Sequence, residues 1–298
     1  MYYDNDTIIY FDGNFVKATE AKTDLYGQSL HYGYAVFEGI KSYKTPNGTQ
    51  IFKVAEHYDR LRFSAETMHI PFSYTTPELI ELSYEILKRN NFSDAYIRPL
   101  VISSPNMGLS KAKESQLVIE AWEWNNGYLT NQLRVMTSSY RRPNPEAFHV
   151  KAKVSGHYVN SILACQEARD KGFDEALLLD SNGNVAESSG ANVFFERSGI
   201  LFTPPKDNIL PGITRAVVIE ISKKLEIPVV EKFFKPEMMK GADAAFFCGT
   251  AAEIVTLASL DDVPFCKKWG DTYSNQIQKA YNSLVLGKSM DAIGNKIK

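Results

Sequence analysis

Cysteine is scarce in this chain of 298 residues: three, at Cys165, Cys248 and Cys266, far apart and odd in number. That spacing excludes a disulfide framework and a cysteine metal cluster, and it suits a reducing compartment, the cytoplasm. Excess charge is also missing. A net charge of −2 gives no electrostatic reason to bind nucleic acid or an anionic membrane. No apolar run approaches the roughly 20 residues that span a bilayer. The start, MYYDNDTIIY, has neither the basic opening nor the apolar centre of a signal peptide. Five scattered histidines carry no metal-ligand spacing, and no internal repeat or low-complexity tract is present. The phosphate-loop and dinucleotide glycine fingerprints are absent, which disfavours a nucleotide ligand.

What remains is a large soluble core, with 44% hydrophobic residues, enough for one large domain or two ordinary ones. Asp12-Gly13 between residues 7–11 and 14–16 predicts a hairpin, as does Ser181-Asn182-Gly183-Asn184 between 176–180 and 185–187. Apolar spacing predicts helices over 54–68 and 77–90, the second capped by Thr76. Residues 95–103 and 116–122 read as strands, with a Pro/Gly/Ser/Lys loop over 104–115 between them. The break NNGYLTN at 125–131 is the expected linker, dividing an α+β N-terminal domain (1–127) from a second domain (128–298). A helix is expected over 160–171, with Ile162, Leu163, Cys165 and Ala168 available to pack, and others over 210–225 and 271–286.

The chemistry centres on residues 150–161, VKAKVSGHYVNS. If 150–154 is a strand, Val150, Ala152 and Val154 face one way and Lys151 and Lys153 the other. Two solvated edge lysines and one desolvated nucleophilic amine are both open readings. Pro211-Gly212-Ile213-Thr214 opens a helix, and Gly249-Thr250-Ala251 follows an apolar strand; each offers backbone N–H groups to an anion, and each is also compatible with a plain cap or turn. Glu187 reads either as an exposed strand-end carboxylate or as an acid buried against a basic ring nitrogen. Arg60 has Glu56 as a partner on its own helix. Arg98, inside the apolar run AYIRPLVIS, needs a carboxylate or phosphate partner, and a structural salt bridge and a substrate carboxylate clamp are both open readings.

Taken in order, SLHYGYAVFEGI, HYDRLRFSAE, AYIRPL, the lysine stretch, NVAESSGANVFF, LFTPP…ILPGITR and CGTAAEI resemble the fold-type-IV pyridoxal-phosphate enzymes, and within them the branched-chain amino acid aminotransferases. The resemblance runs from about residue 7 to about residue 260. It implies a smaller N-terminal α/β domain, a larger C-terminal domain with a barrel-like core, and pyridoxal 5'-phosphate at the domain interface. It makes Lys153 the Schiff-base lysine, since it precedes Tyr158 by the family's spacing, and Tyr158 the partner of the cofactor's phenolic oxygen. Glu187 would hold the ring nitrogen protonated, and Arg60, Ile213, Thr214 and Thr250 would grip the phosphate. Tyr96, Thr250 and Ala251 would receive the substrate α-carboxylate and Arg98 the side-chain carboxylate of glutamate. Phe37, Tyr128 and a neighbouring subunit's Tyr32 would wall the side-chain pocket in a homodimer or larger assembly. Ala191 and His157 depart from the glutamate and asparagine of many members, a matter of substrate detail.

The implied reaction moves an amino group from leucine, isoleucine or valine to 2-oxoglutarate. Rivals on the same fold are D-amino acid aminotransferase and aminodeoxychorismate lyase. A non-catalytic binding protein on this scaffold is a third reading, against which Lys153, Tyr158 and Glu187 stand together.

Overall fold

The computed structural model describes residues 2–124 and 132–289. The chain divides into two compact units: Met1–Asn125 with Ala152–His157, and Asn126–Lys151 with Tyr158–Lys298.

In the first unit β1 (Ile8–Phe11) and β2 (Asn14–Lys17) form a hairpin about Asp12 and Gly13, both at positive φ. There follow α1 (Gln28–Tyr32), β3 (Ala35–Phe37), β4 (Ile40–Thr45), β5 (Gly48–Ile51), α2 (Val54–Thr67), α3 (Thr76–Arg89), β6 (Ala95–Ser103) and β7 (Ser115–Glu123). The sheet runs β2-β1-β7-β6-β4-β5, with β3 also on β6. Alternation gives β6 and β7 two unlike faces. Ala95, Ile97, Val101, Leu117, Ile119 and Ala121 pack into one core with Tyr58, Leu61, Leu79 and Ile86 of the two long helices. Tyr96, Arg98, Glu120 and Trp122 therefore share the opposite face. The cap of α3 is Thr75 rather than Thr76. Its hydroxyl takes the Glu78 N–H while the Glu78 carboxylate takes the Thr75 N–H, a reciprocal box that only a residue three before Glu78 can make.

The second unit is built on a closed ring. Its elements are β8 (Leu133–Arg141), α4 (Tyr158–Asp170), β9 (Glu175–Leu179), β10 (Val185–Ser188), β11 (Asn192–Arg197), β12 (Ile200–Thr203), α5 (Ile213–Lys224), β13 (Val229–Glu231), α6 (Pro236–Met239), β14 (Ala244–Gly249), β15 (Glu253–Leu260), β16 (Val263–Pro264) and α7 (Tyr273–Val285). The order β10-β9-β8-β15-β14-β11 returns to β10 through the Glu187–Asn192 pairing, so six strands close a barrel. Closure removes two strand edges, and the interior fills with Val135, Leu177, Val193, Phe195, Phe247 and Val255. Outside, α4 packs Ala164 and Ala168 against Met136, Ala176 and Leu178. Ile162 and Leu163, expected to pack, are exposed, because the buried stripe of α4 is Ser161, Ala164 and Ala168. No described helix is long and apolar enough to cross a membrane.

Residues 150–154 do not form the expected strand. The segment turns on local bonds, Val150 N–H to Phe148 O and Val154 N–H to Ala152 O, and makes one isolated bridge, Val154 to Val36. The alternation survives in burial: Val150, Ala152 and Val154 are buried, Lys151 is exposed and Lys153 half-buried.

Candidate active site

Ala152–His157 belongs to the first unit, and three contacts fix it there. Ser64 Oγ on α2 accepts the Lys153 N–H at 3.0 Å, and the Lys153 carbonyl accepts the Phe37 N–H at 3.1 Å. Gly156 N–H donates to Gly33 O at 3.0 Å, an approach so close that a Cβ on Gly33 would lie 2.7 Å from Gly156 Cα. Ala152 and Val154 complete the helix–sheet core below. Held this way, the Lys153 amine lies 4.7 Å from the centre of the Phe37 ring.

Under the same helix lies a charged cluster that sequence reading missed. Glu38 is fully buried; its Oε1 accepts Arg60 Nε–H at 2.6 Å, and its Oε2 accepts Arg60 Nη2–H at 2.9 Å and His57 Nδ1–H at 2.7 Å. Burial pushes the Glu38 carboxyl up, but the opposing pull of Arg60 and His57 is larger and holds it well below the ordinary carboxylate range. Burial is also the main reason His57 lies below its usual value, against the Glu38 charge, so His57 is neutral and its Nδ1 donates. Glu56, the expected partner of Arg60, pairs instead with Lys53 at 2.8 Å. Ser64 joins the cluster to the lysine, since its hydroxyl donates to Arg60 O at 2.8 Å while accepting from Lys153. Glu38 was legible in principle: a charge within the apolar run AVFEGI calls for a buried partner, as for Arg98.

The open face of β6 and β7 gathers aromatic rings around a cation. Arg98 Cζ stands 4.7 Å from the Phe37 ring centre, 5.3 Å from Tyr96 and 5.7 Å from Trp122. Tyr96 stacks on Trp122 at 5.0 Å and leans on Trp124 at 5.1 Å. Its hydroxyl fills the space a side chain on Gly39 would take, since a Cβ there would lie 1.8 Å from the oxygen. Arg98 makes no ion pair with a carboxylate among the described residues; one Nη2–H reaches the Tyr96 hydroxyl at 3.4 Å, and Nε is buried without a hydrogen-bond partner. The structural salt bridge is thereby set aside. Tyr32, at the end of α1, is exposed, and its hydroxyl donates to Met107 O at 3.3 Å. Tyr128 and the expected linker at 125–131 lie outside the described residues.

The second unit holds the other expected residues. Tyr158 opens α4 and is half-buried. Glu187 is 5% exposed, which excludes the solvated strand-end reading. Its Oε2 accepts Asn192 Nδ2–H at 2.9 Å, its Oε1 accepts Leu210 N–H at 3.2 Å, and Arg142 Nε lies 2.8 Å away, an ion pair whose N–H is not aimed along the line. Arg142 was also missed. Asn192, bonded to Glu187 and to Leu210 O, sits where a Cβ on Gly212 would meet its Oδ1 at 1.9 Å. The acid is thus tied to the start of α5. There Gly212 is an extended N-cap with no side-chain cap, no acid follows in the first turn, and buried Thr214 comes next. Thr250 and Ala251 are half-buried in the β14–β15 turn; Ala191 packs beside it, 3.4 Å from where a Cβ on Gly249 would stand.

Each unit carries groups that suit pyridoxal 5'-phosphate. The first unit supplies a half-buried amine and a fixed guanidinium. The second supplies an uncapped helix N-terminus suited to a phosphate and a buried carboxylate, whose oxygens accept about four hydrogen bonds, suited to a protonated ring nitrogen.

Comparison with known proteins agrees. The model of the family "Amino-transferase class IV" matches residues 35–260. A branched-chain-amino-acid aminotransferase of Pseudomonas aeruginosa is 38% identical over 292 residues, covering 96% of this chain and 95% of that protein. The branched-chain aminotransferase of Thermoproteus uzoniensis, solved with norvaline, superposes with a TM-score of 0.91 at 38% identity, over 95% of this chain and 96% of that one. The T.th. enzyme, complexed with N-(5'-phosphopyridoxyl)-L-glutamate, gives 0.91 at 36% identity over 97% of each chain. With a matched stretch of this length and a barrel of the same build, the chain belongs to the class IV aminotransferases.

Proposed function

We propose that this protein is a transaminase dependent on pyridoxal 5'-phosphate, moving the amino group of leucine, isoleucine or valine to 2-oxoglutarate and yielding the branched 2-oxo acid and L-glutamate. The observation that carries the choice of substrate is the aromatic face around Arg98. Three rings suit an aliphatic side chain, and a buried guanidinium N–H without a partner suits a dicarboxylate.

The cofactor, when bound, would supply an aldehyde for the amino group and a cationic ring that withdraws electrons from the substrate Cα. Lys153 Nζ would take the substrate Cα proton as general base. Glu187 would accept a hydrogen bond from the protonated ring nitrogen. Arg60, held in plane by Glu38, grips the phosphate together with the backbone of Ile213 and Thr214 and with Thr250. Tyr158 donates to the phenolic oxygen. Tyr96, Thr250 and Ala251 receive the α-carboxylate, and Phe37 and Tyr128 wall the side-chain pocket. A partner subunit's Tyr32 closes that wall in a homodimer or larger assembly. Support for assembly comes from Leu25, Tyr26, Leu30 and Leu109, each more than 60% exposed, since apolar groups on this scale favour a covered face. Three free cysteines suit the cytoplasm.

A donor panel tests the reading. L-leucine, L-isoleucine and L-valine should each consume 2-oxoglutarate, and D-alanine should not. D-alanine turnover alone, or pyruvate released from aminodeoxychorismate, would assign the rival activities.

A further inference from the structure

On the face that carries Arg98, the residue directly across the strand pair is Glu120. Residues so opposed point the same way, with Cβ atoms about 4.5–5.5 Å apart. The two side chains do not close to an ion pair among the described residues, so the guanidinium keeps its buried Nε–H without a partner. They nevertheless feel each other: partial desolvation raises the Glu120 carboxyl above its ordinary value, and the Arg98 charge draws it back down. Glu120, exposed to solvent, is thus an anion beside the cation proposed to meet the substrate side chain, without blocking it.

A pocket that serves both leucine and glutamate faces a conflict. Covering a lone guanidinium with an aliphatic chain strips water from an uncompensated charge. A carboxylate alongside, even a solvent-exposed one, offsets part of that charge, so an apolar chain covers the face at lower cost. The same carboxylate repels an incoming side-chain carboxylate. We infer that Glu120 sets the balance between aliphatic and dicarboxylic substrates by compensating Arg98. The inference rests on the reading that Arg98 meets the substrate side chain. Two carboxylates ~7 Å apart, at an effective dielectric of about 40 between the surface and bulk-water values, repel by enough to change binding roughly fivefold to tenfold.

The test uses the cofactor-loaded protein and the variants Glu120→Gln and Arg98→Gln. Initial rates are taken with L-leucine and with L-glutamate as donors, and glutarate serves as a competitive inhibitor. Glu120→Gln should raise the glutamate-to-leucine ratio of kcat/KM about fivefold to tenfold, chiefly through the glutamate KM, and should lower the glutarate Ki to match. The gain should shrink as salt is added, which a packing role would not produce. Arg98→Gln should move the ratio the other way. If Arg98→Gln collapses the ratio but Glu120→Gln leaves it within twofold, the role of Glu120 is overturned and that of Arg98 stands. If Arg98→Gln also leaves the ratio unchanged, the Arg98 reading fails and the inference fails with it.

Discussion

Acidification should destabilise the first unit through His57 before its partner Glu38 titrates. His57 is 2% exposed, and burial lowers its affinity for a proton. In the unfolded chain it titrates near 6.5. Below that value the unfolded state holds a proton that the folded state refuses. With more protons bound when unfolded, stability falls as pH falls. A histidine that stays neutral when folded costs about 1.4 kcal/mol between about pH 7.5 and 5.5. Glu38 acts in the same direction but lower down, because its depressed folded value makes its contribution fade only as pH drops below the ordinary 4.5. The assay is the urea midpoint of the apoprotein across this range, for wild type and for His57→Gln. Glutamine can still donate to Glu38 but does not titrate. Every other histidine cancels in the difference. The two curves should converge as pH falls from about 7.5 to 5.5, by up to ~1.4 kcal/mol. A difference curve flat to within ~0.3 kcal/mol would refute a neutral, buried His57, that margin being below typical context effects.

Two further outcomes concern the site directly. Lys153→Ala should lower turnover by roughly 10⁴-fold and abolish the lysine-dependent visible band of the cofactor; an absorbance scan and a leucine assay check both, and near-native activity would remove the lysine from the chemistry. Gly39→Ala should displace the Tyr96 hydroxyl, which lies 1.8 Å from the new Cβ, and raise the leucine KM about 5- to 100-fold at the 1–3 kcal/mol typical of overpacking; an unchanged KM would take Tyr96 out of carboxylate binding.

Much of this fold was legible because local chemistry and tertiary packing agree. Asp12-Gly13 and the Asn182–Asn184 turn specify hairpins through their φ preferences, and helices α2, α5 and α7 carry their own spacing. Where the two disagree, the sequence misleads. Residues 150–154 alternate like a strand because one side faces a core, but their partners are Ser64, Phe37 and Val36, distant in sequence, and no ladder forms. Ile162 and Leu163 look like packing residues, yet small Ala164 and Ala168 meet the barrel. Glu38 escaped notice because its value depends on Arg60 and His57 lying on the inner side of α2, which periodicity alone does not reveal.

The way Lys153 is held suits the role proposed for its amine in transamination. As a base at the substrate Cα the amine would need a fixed starting point, which a drifting backbone would lose. The structure fixes the backbone on both sides, at the N–H by Ser64 and at the carbonyl by Phe37. Ser64 is in turn fixed by the helix whose Arg60 is clamped by fully buried Glu38. One carboxylate that never meets substrate therefore orients both the guanidinium assigned to the phosphate and, through one hydroxyl, the lysine assigned to the chemistry. Its burial is the reason the arrangement is stiff: with Arg60 or His57 removed, the remaining charge would have no solvent to turn to, so the cluster holds one geometry or unfolds.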